Sequence, residues 1–326
     1  MFSRILCAAL PGLLLALAPL QAAAHCFVGA RFLPATLAID DPCVADELSA
    51  PTIARFHTGD DPSAKQTDVS WEFSKRITDT FGVSVERTWT HLGLPGMPNA
   101  ASGFQNWETT FKYQFLTNAA HELVISAGVS VEWGASGSPD VGAERFSVIT
   151  PTVYFGKGFG DLPDSAGWLR AFAVTGQAGY TIPTQSSTAT LDPDSGLLNV
   201  ELNPRFAVYG GSLQFSFPYL KSNVIDLELP DFINHLIPIV EAQFLSPVGN
   251  NLGNPWITTG TVNPGVIWVG SYFQVGVEAI IPINRASGTN IGAIAQLHFY
   301  LDDIFPNSIG RPLIGSAPPP QKPFGD

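Results

Sequence analysis

The residues best able to do chemistry in this chain are carboxylates on the polar side of alternating segments. Glu72, Glu86, Glu108, Glu122, Glu132 and Glu278 fall there, accompanied by Lys112, Gln274, Gln296 and His298. If these ten side chains line one interior, six carboxylates against one ammonium give it a negative potential that favours cations and disfavours free anions. The competing reading is that they pair with Lys or Arg from other segments and fill a closed interior. Both readings stand at this point.

Other chemistry finds less support. The six histidines, His25, His57, His91, His121, His235 and His298, match neither a nucleophile elbow nor an H-E-x-x-H spacing. No catalytic residue, cofactor or metal ligand is assigned, and the chain is read as a non-enzyme. The acidic pairs Asp40-Asp41, Asp60-Asp61 and Asp302-Asp303 could hold Ca²⁺, but solvated turns explain them better. The glycine-rich run from Phe155 to Pro163 lacks the Gly-Lys-Ser/Thr ending of a phosphate loop and reads as a turn.

The elements that must position the carboxylates are short strands with a period of two. Leu123, Ile125, Ala127, Val129, Val131 and Trp133 share one face, while Glu122, Ser126, Gly128, Ser130 and Glu132 share the other. Twelve such segments can be placed, at 48–58, 68–78, 81–90, 104–116, 121–134, 145–158, 167–182, 199–217, 235–246, 260–270, 271–283 and 290–303. Short links such as Thr78–Thr80, Thr117–Ala120 and Gly270-Ser271 alternate with long ones, the long Pro218–Asn234 link being the exception. An even strand count with this alternation predicts an all-β, antiparallel transmembrane β-barrel of the bacterial outer membrane, with both chain ends on the periplasmic side. Trp107, Phe111, Tyr113 and Phe115 share a face spanning about 26 Å of strand, close to the depth of a lipid-facing band once tilted. A soluble β-sandwich with an aromatic core is the alternative.

Composition agrees with a membrane setting. Residues 1–24 have the marks of a cleaved signal peptide: Arg4, an apolar run from Leu6 to Leu20, and Ala22-Ala23-Ala24. Losing Arg4 would take the formal charge from −12 to −13, which leaves no electrostatic footprint for nucleic acid. No later window provides the roughly 20 apolar residues of a membrane helix. Residues 25–46 alternate poorly and are read as a periplasmic or lumen-inserted segment. Residues 47–303 form the barrel and 304–326 a Pro-rich tail. Cys7 leaves with the signal, so Cys26 and Cys43 invite one disulfide in an oxidising compartment, closing a loop worth about 3 kcal/mol by chain entropy; two free thiols are the alternative.

Three stretches carry a family resemblance: Ser102 to Phe115, Phe155 to Pro163 and Tyr272 to Ala279. With them the chain resembles an outer-membrane barrel family of the phenol meta-pathway degradation and transporter type. That resemblance implies a channel or facilitator for small, including apolar or aromatic, molecules, and it carries over no functional residue. The alternative is a structural or adhesion barrel without transport. The expected partners are outer-membrane lipid, the barrel-insertion machinery and a small-molecule solute.

Overall fold

The computed structural model describes residues 25–191, 196–253 and 255–315, without the side chains of residues 98 and 99. The expected signal peptide and the last part of the Pro-rich tail lie outside the described residues. Twelve long strands form the wall. The first six are β1 Glu47–His57, β2 Lys65–Arg76, β3 Phe81–Leu94, β4 Trp107–Asn118, β5 Leu123–Trp133 and β6 Val148–Gly158. The others are β7 Phe172–Tyr180, β8 Arg205–Phe215, β9 Leu236–Gly249, β10 Thr259–Val269, β11 Phe273–Pro282 and β12 Gly292–Tyr300. Each pairs antiparallel with its neighbour in the chain, and β12 returns to β1 from Ala293 opposite Arg55 to Tyr300 opposite Glu47. Closure leaves no unpaired edge, which is the condition for a sheet to cross lipid.

The outer face is apolar. Phe111, Tyr113, Phe115, Val129, Val153 and Phe155 are all exposed on adjacent strands. In a sandwich, a second sheet would bury such residues; among the described residues no second layer covers them. A closed barrel with a lipid-facing belt is a bacterial outer-membrane protein. A register shift between Gln114 and Leu116 turns both Phe115 and Leu116 outward, which widens the belt near the end of β4.

Three segments depart from the expected boundaries, each for a local reason. Residues 164–171 are two short 3₁₀ turns that meet at a kink at Gly167, whose φ of 55° is left-handed, so β7 starts only at Phe172. Leu198–Leu202 belongs not to β8 but to a separate hairpin with Ser187–Leu191, and Pro204 separates the two strands. Met97–Phe104, expected within a loop, pairs with the upper part of β3 and extends that hairpin past the barrel.

One end of the barrel, here the terminal end, carries the start of β1, the end of β12 and the links 77–80, 119–122 and 270–272. The long link there contains α1, Phe217–Asn223, and α2, Asp231–Asn234. Beyond β12, α3 spans Leu301–Ile304. The opposite, far end carries the longer hairpins.

Candidate lumen site

Residues 25–46 run inside the barrel and are tied to the wall along their length. The backbone N–H groups of Leu37 and Ala38 donate to Glu241 on β9 at 3.2 and 2.5 Å. Gln274 donates to the Ala35 carbonyl (2.6 Å), and Gln114 accepts from the Val44 N–H (3.1 Å). Ser126 donates to the Pro42 carbonyl. Phe32 and Leu37 pack with inward-facing Ile237, Ile239, Ile267 and Val269, all buried. Each such aliphatic side chain contributes about 1.5–3 kcal/mol when fully buried. Apolar packing therefore holds the segment at least as strongly as its hydrogen bonds, which contribute about 1 kcal/mol each. Cys26 and Cys43 are bridged, with Cα atoms 5.4 Å apart, so the segment is a closed loop.

The terminal end is a network of matched charges. Arg31 is wholly buried; its Nε meets Glu122 at 3.1 Å, its Nη1 donates to the Ala171 carbonyl, and its guanidinium lies 3.5 Å from the Tyr219 ring centroid. Tyr219 comes from α1, so the unexpectedly long Pro218–Asn234 link supplies a lid for Arg31. Glu122 can approach because Gly158 and Gly160 face it; a Cβ on either would lie 2.1–2.3 Å from its carboxylate oxygens. Asp46, also fully buried, receives Arg76 Nε at 2.7 Å and Lys75. His25 places Nδ1 2.9 Å from Asp302 and Nε2 2.6 Å from Asp303. Burial alone would push the His25 ring down, but its N–H groups donate to both carboxylates, whose negative charge favours the protonated ring, and together these push it up to about 9. Asp302 and Asp303 are thus not a solvated turn: the last strand delivers them against the start of the lumen segment.

Midway up the wall the charges are arranged differently. The strand register sets Glu72 opposite Glu86, Glu86 opposite Glu108, and Glu108 opposite Glu132, a ladder of four carboxylates across β2 to β5. Directly opposite side chains have Cβ atoms about 4.5–5.5 Å apart, and like charges at that distance repel. Their hydrogen-bond partners are all neutral: Ser74 on Glu72 (3.3 Å), Thr88 on Glu86 (3.4 Å) and the Asn106 amide on Glu132 (2.9 Å). Lys112 is committed to the lumen segment, binding Asp40 at 2.9 Å and the Asp41 carbonyl at 2.8 Å. Among the described residues none of the four glutamates forms an ion pair. A cavity of about 300 Å³ lies between wall and segment, lined by Glu72, Glu86, Glu108, Lys112, Gln296 and His298.

The ten residues assigned to the lumen from the sequence separate into groups. Glu122 belongs to the terminal network, and His298 meets Glu47 at 2.7 Å and Ser49 at 2.8 Å. Gln274 is buried between Ala35 and Tyr300. Gln296 contacts Thr52 (3.2 Å) beside the cavity. Glu278 lies apart from the ladder, beside Asn263, with neither oxygen making a hydrogen bond of normal geometry. Sequence reasoning missed Glu241, Arg31, Arg76 and Asp46. Glu241 was within reach, since Ile237, Ile239, Glu241 and Gln243 share one face of their strand; the other three lie at strand ends or outside the alternating segments.

No family model matches the chain and no curated protein is similar to it. Solved barrels are similar to it at low identity and with TM-scores under 0.5. The chain is similar to the KdgM porin, with 12% identity and a TM-score of 0.41 over 76% of this chain and 98% of that one. Against the NanC porin the values are 8% and 0.43 over 77% and 98%. The beta domain of the Bordetella autotransporter BrkA gives 12% and 0.46 over 78% and 98%. No residue role passes from these proteins to this chain.

Proposed function

We propose that this barrel is an outer-membrane channel for small solutes, that its acidic interior favours cations, and that residues 25–46 set the width of its bore. The observation that carries this reading is the glutamate ladder. Structural charges at the terminal end are held in ion pairs with opposite charges, whereas the ladder aligns four carboxylates, three of them along a cavity, with none in an ion pair and with the one ammonium beside them, Lys112, bound to Asp40. Such an arrangement opposes folding and is explained by the field it creates for a passing solute. The terminal end would face the periplasm, with the longer hairpins outside.

A specific observation favours a second reading, in which the barrel conducts nothing and serves the envelope as a structural or adhesion module. The lumen segment is bonded to several sides of the wall and closed by a disulfide. Planar-bilayer recording of the purified, folded protein distinguishes the two. The channel reading expects discrete conductance steps and faster solute entry into liposomes. A folded barrel that shows neither supports the structural module.

A further inference from the structure

A second cavity, of about 270 Å³, opens between the tip of the lumen segment and strands β9 to β12 and β1. It lies nearer the far end than the glutamate ladder's lower rungs. Its walls are largely apolar: Leu37, Phe56, Ile280, Pro282 and Ile294 face it. Its floor is not. Asn263 and Thr261 line it, and the Asn263 Oδ1 and Thr261 Oγ1 atoms are buried without a hydrogen-bond partner. Asn263 as a whole is only 1% exposed.

Glu278 sits on the same inward face of β11 as Ile280, one pleat below the cavity. It is 4% exposed, lies beside the Asn263 amide, and neither carboxylate oxygen makes a hydrogen bond of normal geometry. Asn263 also stands directly opposite Glu241, whose oxygens are already engaged by the Leu37 and Ala38 N–H groups. The floor therefore offers several acceptor oxygens in search of donors, beside a wall that is mainly apolar, with His57, Gln243, Ser287 and Asn290 supplying the remaining polar groups. Burying an acceptor unpaired costs about 1–3 kcal/mol, and a carboxylate more. A ligand that satisfied these atoms would need donors and positive charge at one end, and an apolar body at the other.

We propose that this cavity is a solute-binding site for a small protonated amine with an apolar body. The ammonium would sit over Glu278, Asn263 and Thr261, and the apolar part would pack on Phe56, Ile280 and Ile294. An ammonium has three donors and no acceptor, matching a floor of acceptors. A bare metal ion would leave the apolar wall without a role, and a neutral hydrocarbon would leave Glu278 uncompensated. The proposal rests on the channel reading only in naming the class of solute that would pass; the site itself stands apart from conduction.

The test is direct binding to the folded barrel in nanodiscs, using cyclohexylmethylamine, its neutral counterpart cyclohexylmethanol, methylammonium and Ca²⁺ as separate probes, with empty nanodiscs subtracted. The amine should bind saturably and at least roughly tenfold more tightly than the alcohol or methylammonium, a gap of about 1.4 kcal/mol. Glu278→Gln should weaken amine binding by roughly tenfold or more while leaving alcohol binding unchanged. Phe56→Ala, which leaves the acceptor floor intact, should weaken the amine while sparing methylammonium, and it serves if the Glu278 variant does not fold. Equal binding of amine and alcohol, insensitivity to both substitutions, or Ca²⁺ binding in preference to the amine would overturn the proposal. A barrel that conducts without binding the amine refutes this site and leaves the channel reading intact. One that binds the amine without conducting refutes the channel reading alone.

Discussion

The terminal end and the middle of the lumen use the same residue types in opposite ways. At the terminal end Asp46, Asp302, Asp303 and Glu122 each face an Arg, Lys or His held within ion-pair distance, and nearly all of these groups are buried. In the middle, Glu72, Glu86, Glu108 and Glu132 face one another. The first arrangement fastens the chain, because removing one member leaves an uncompensated buried charge. The second fastens nothing. Carboxylates that bind the fold and carboxylates that shape a field can thus be told apart by what stands opposite them.

Breaking the terminal network should have the largest effect. Arg76→Met leaves Asp46 buried without its main partner and should cost about 3–5 kcal/mol, read as a lower urea midpoint for loss of the folded, heat-modifiable gel band. An unchanged midpoint would show that this network is not what holds the barrel base. Next in size is the lumen segment's own closure. The double variant Cys26→Ser, Cys43→Ser removes a cross-link worth about 3 kcal/mol in the chain-entropy model. Because the loss falls on residues 25–46, proteolysis of that segment should quicken while the barrel band persists; equal protection in both proteins would count against a separately loosened segment.

A similar magnitude applies to His25, through pH. Its folded value of about 9 lies above the ordinary 6.5. The added stability is fully present below pH 6.5 and is lost as pH rises through 9. The difference corresponds to about 3 kcal/mol. Hydrogen exchange of residues 25–32 should therefore accelerate between neutral and strongly alkaline pH, and Asp302→Asn should move that acceleration to lower pH. Exchange that is flat across this range would contradict the clamp.

Much of the wall was legible in the sequence because a period of two runs through most of each strand, broken only at bulges such as that at Phe115 and Leu116: all twelve segments correspond to strands, and Glu72, Glu86, Glu108 and Glu132 share one face in the register. The ladder was not legible. It depends on register between strands, and register is set by closure and by bulges such as that between Gln114 and Leu116, which no single segment records. Residues 25–46 were opaque for a related reason. Their partners, Glu241, Gln274 and Lys112, lie about 70 to 240 residues away, and an irregular segment has no periodicity to reveal a buried face. The 3₁₀ turns at 164–171 were not legible because Trp168 and Arg170 fall in phase with the strand that starts at Phe172, although residues 168–171 are helical.

The smallest change in stability should come from the ladder, and it should carry the largest change in selectivity. Glu72→Gln, Glu86→Gln, Glu108→Gln and Glu132→Gln together remove four repelling charges, so the folded barrel should be no less stable. The decisive measurement is the reversal potential of single channels in a KCl gradient, wild type against this fourfold variant. The wild-type barrel should pass K⁺ in preference to Cl⁻, and the variant should lose most of that preference. Equal selectivity in the two proteins, or a folded wild-type barrel that never conducts, would contradict the account.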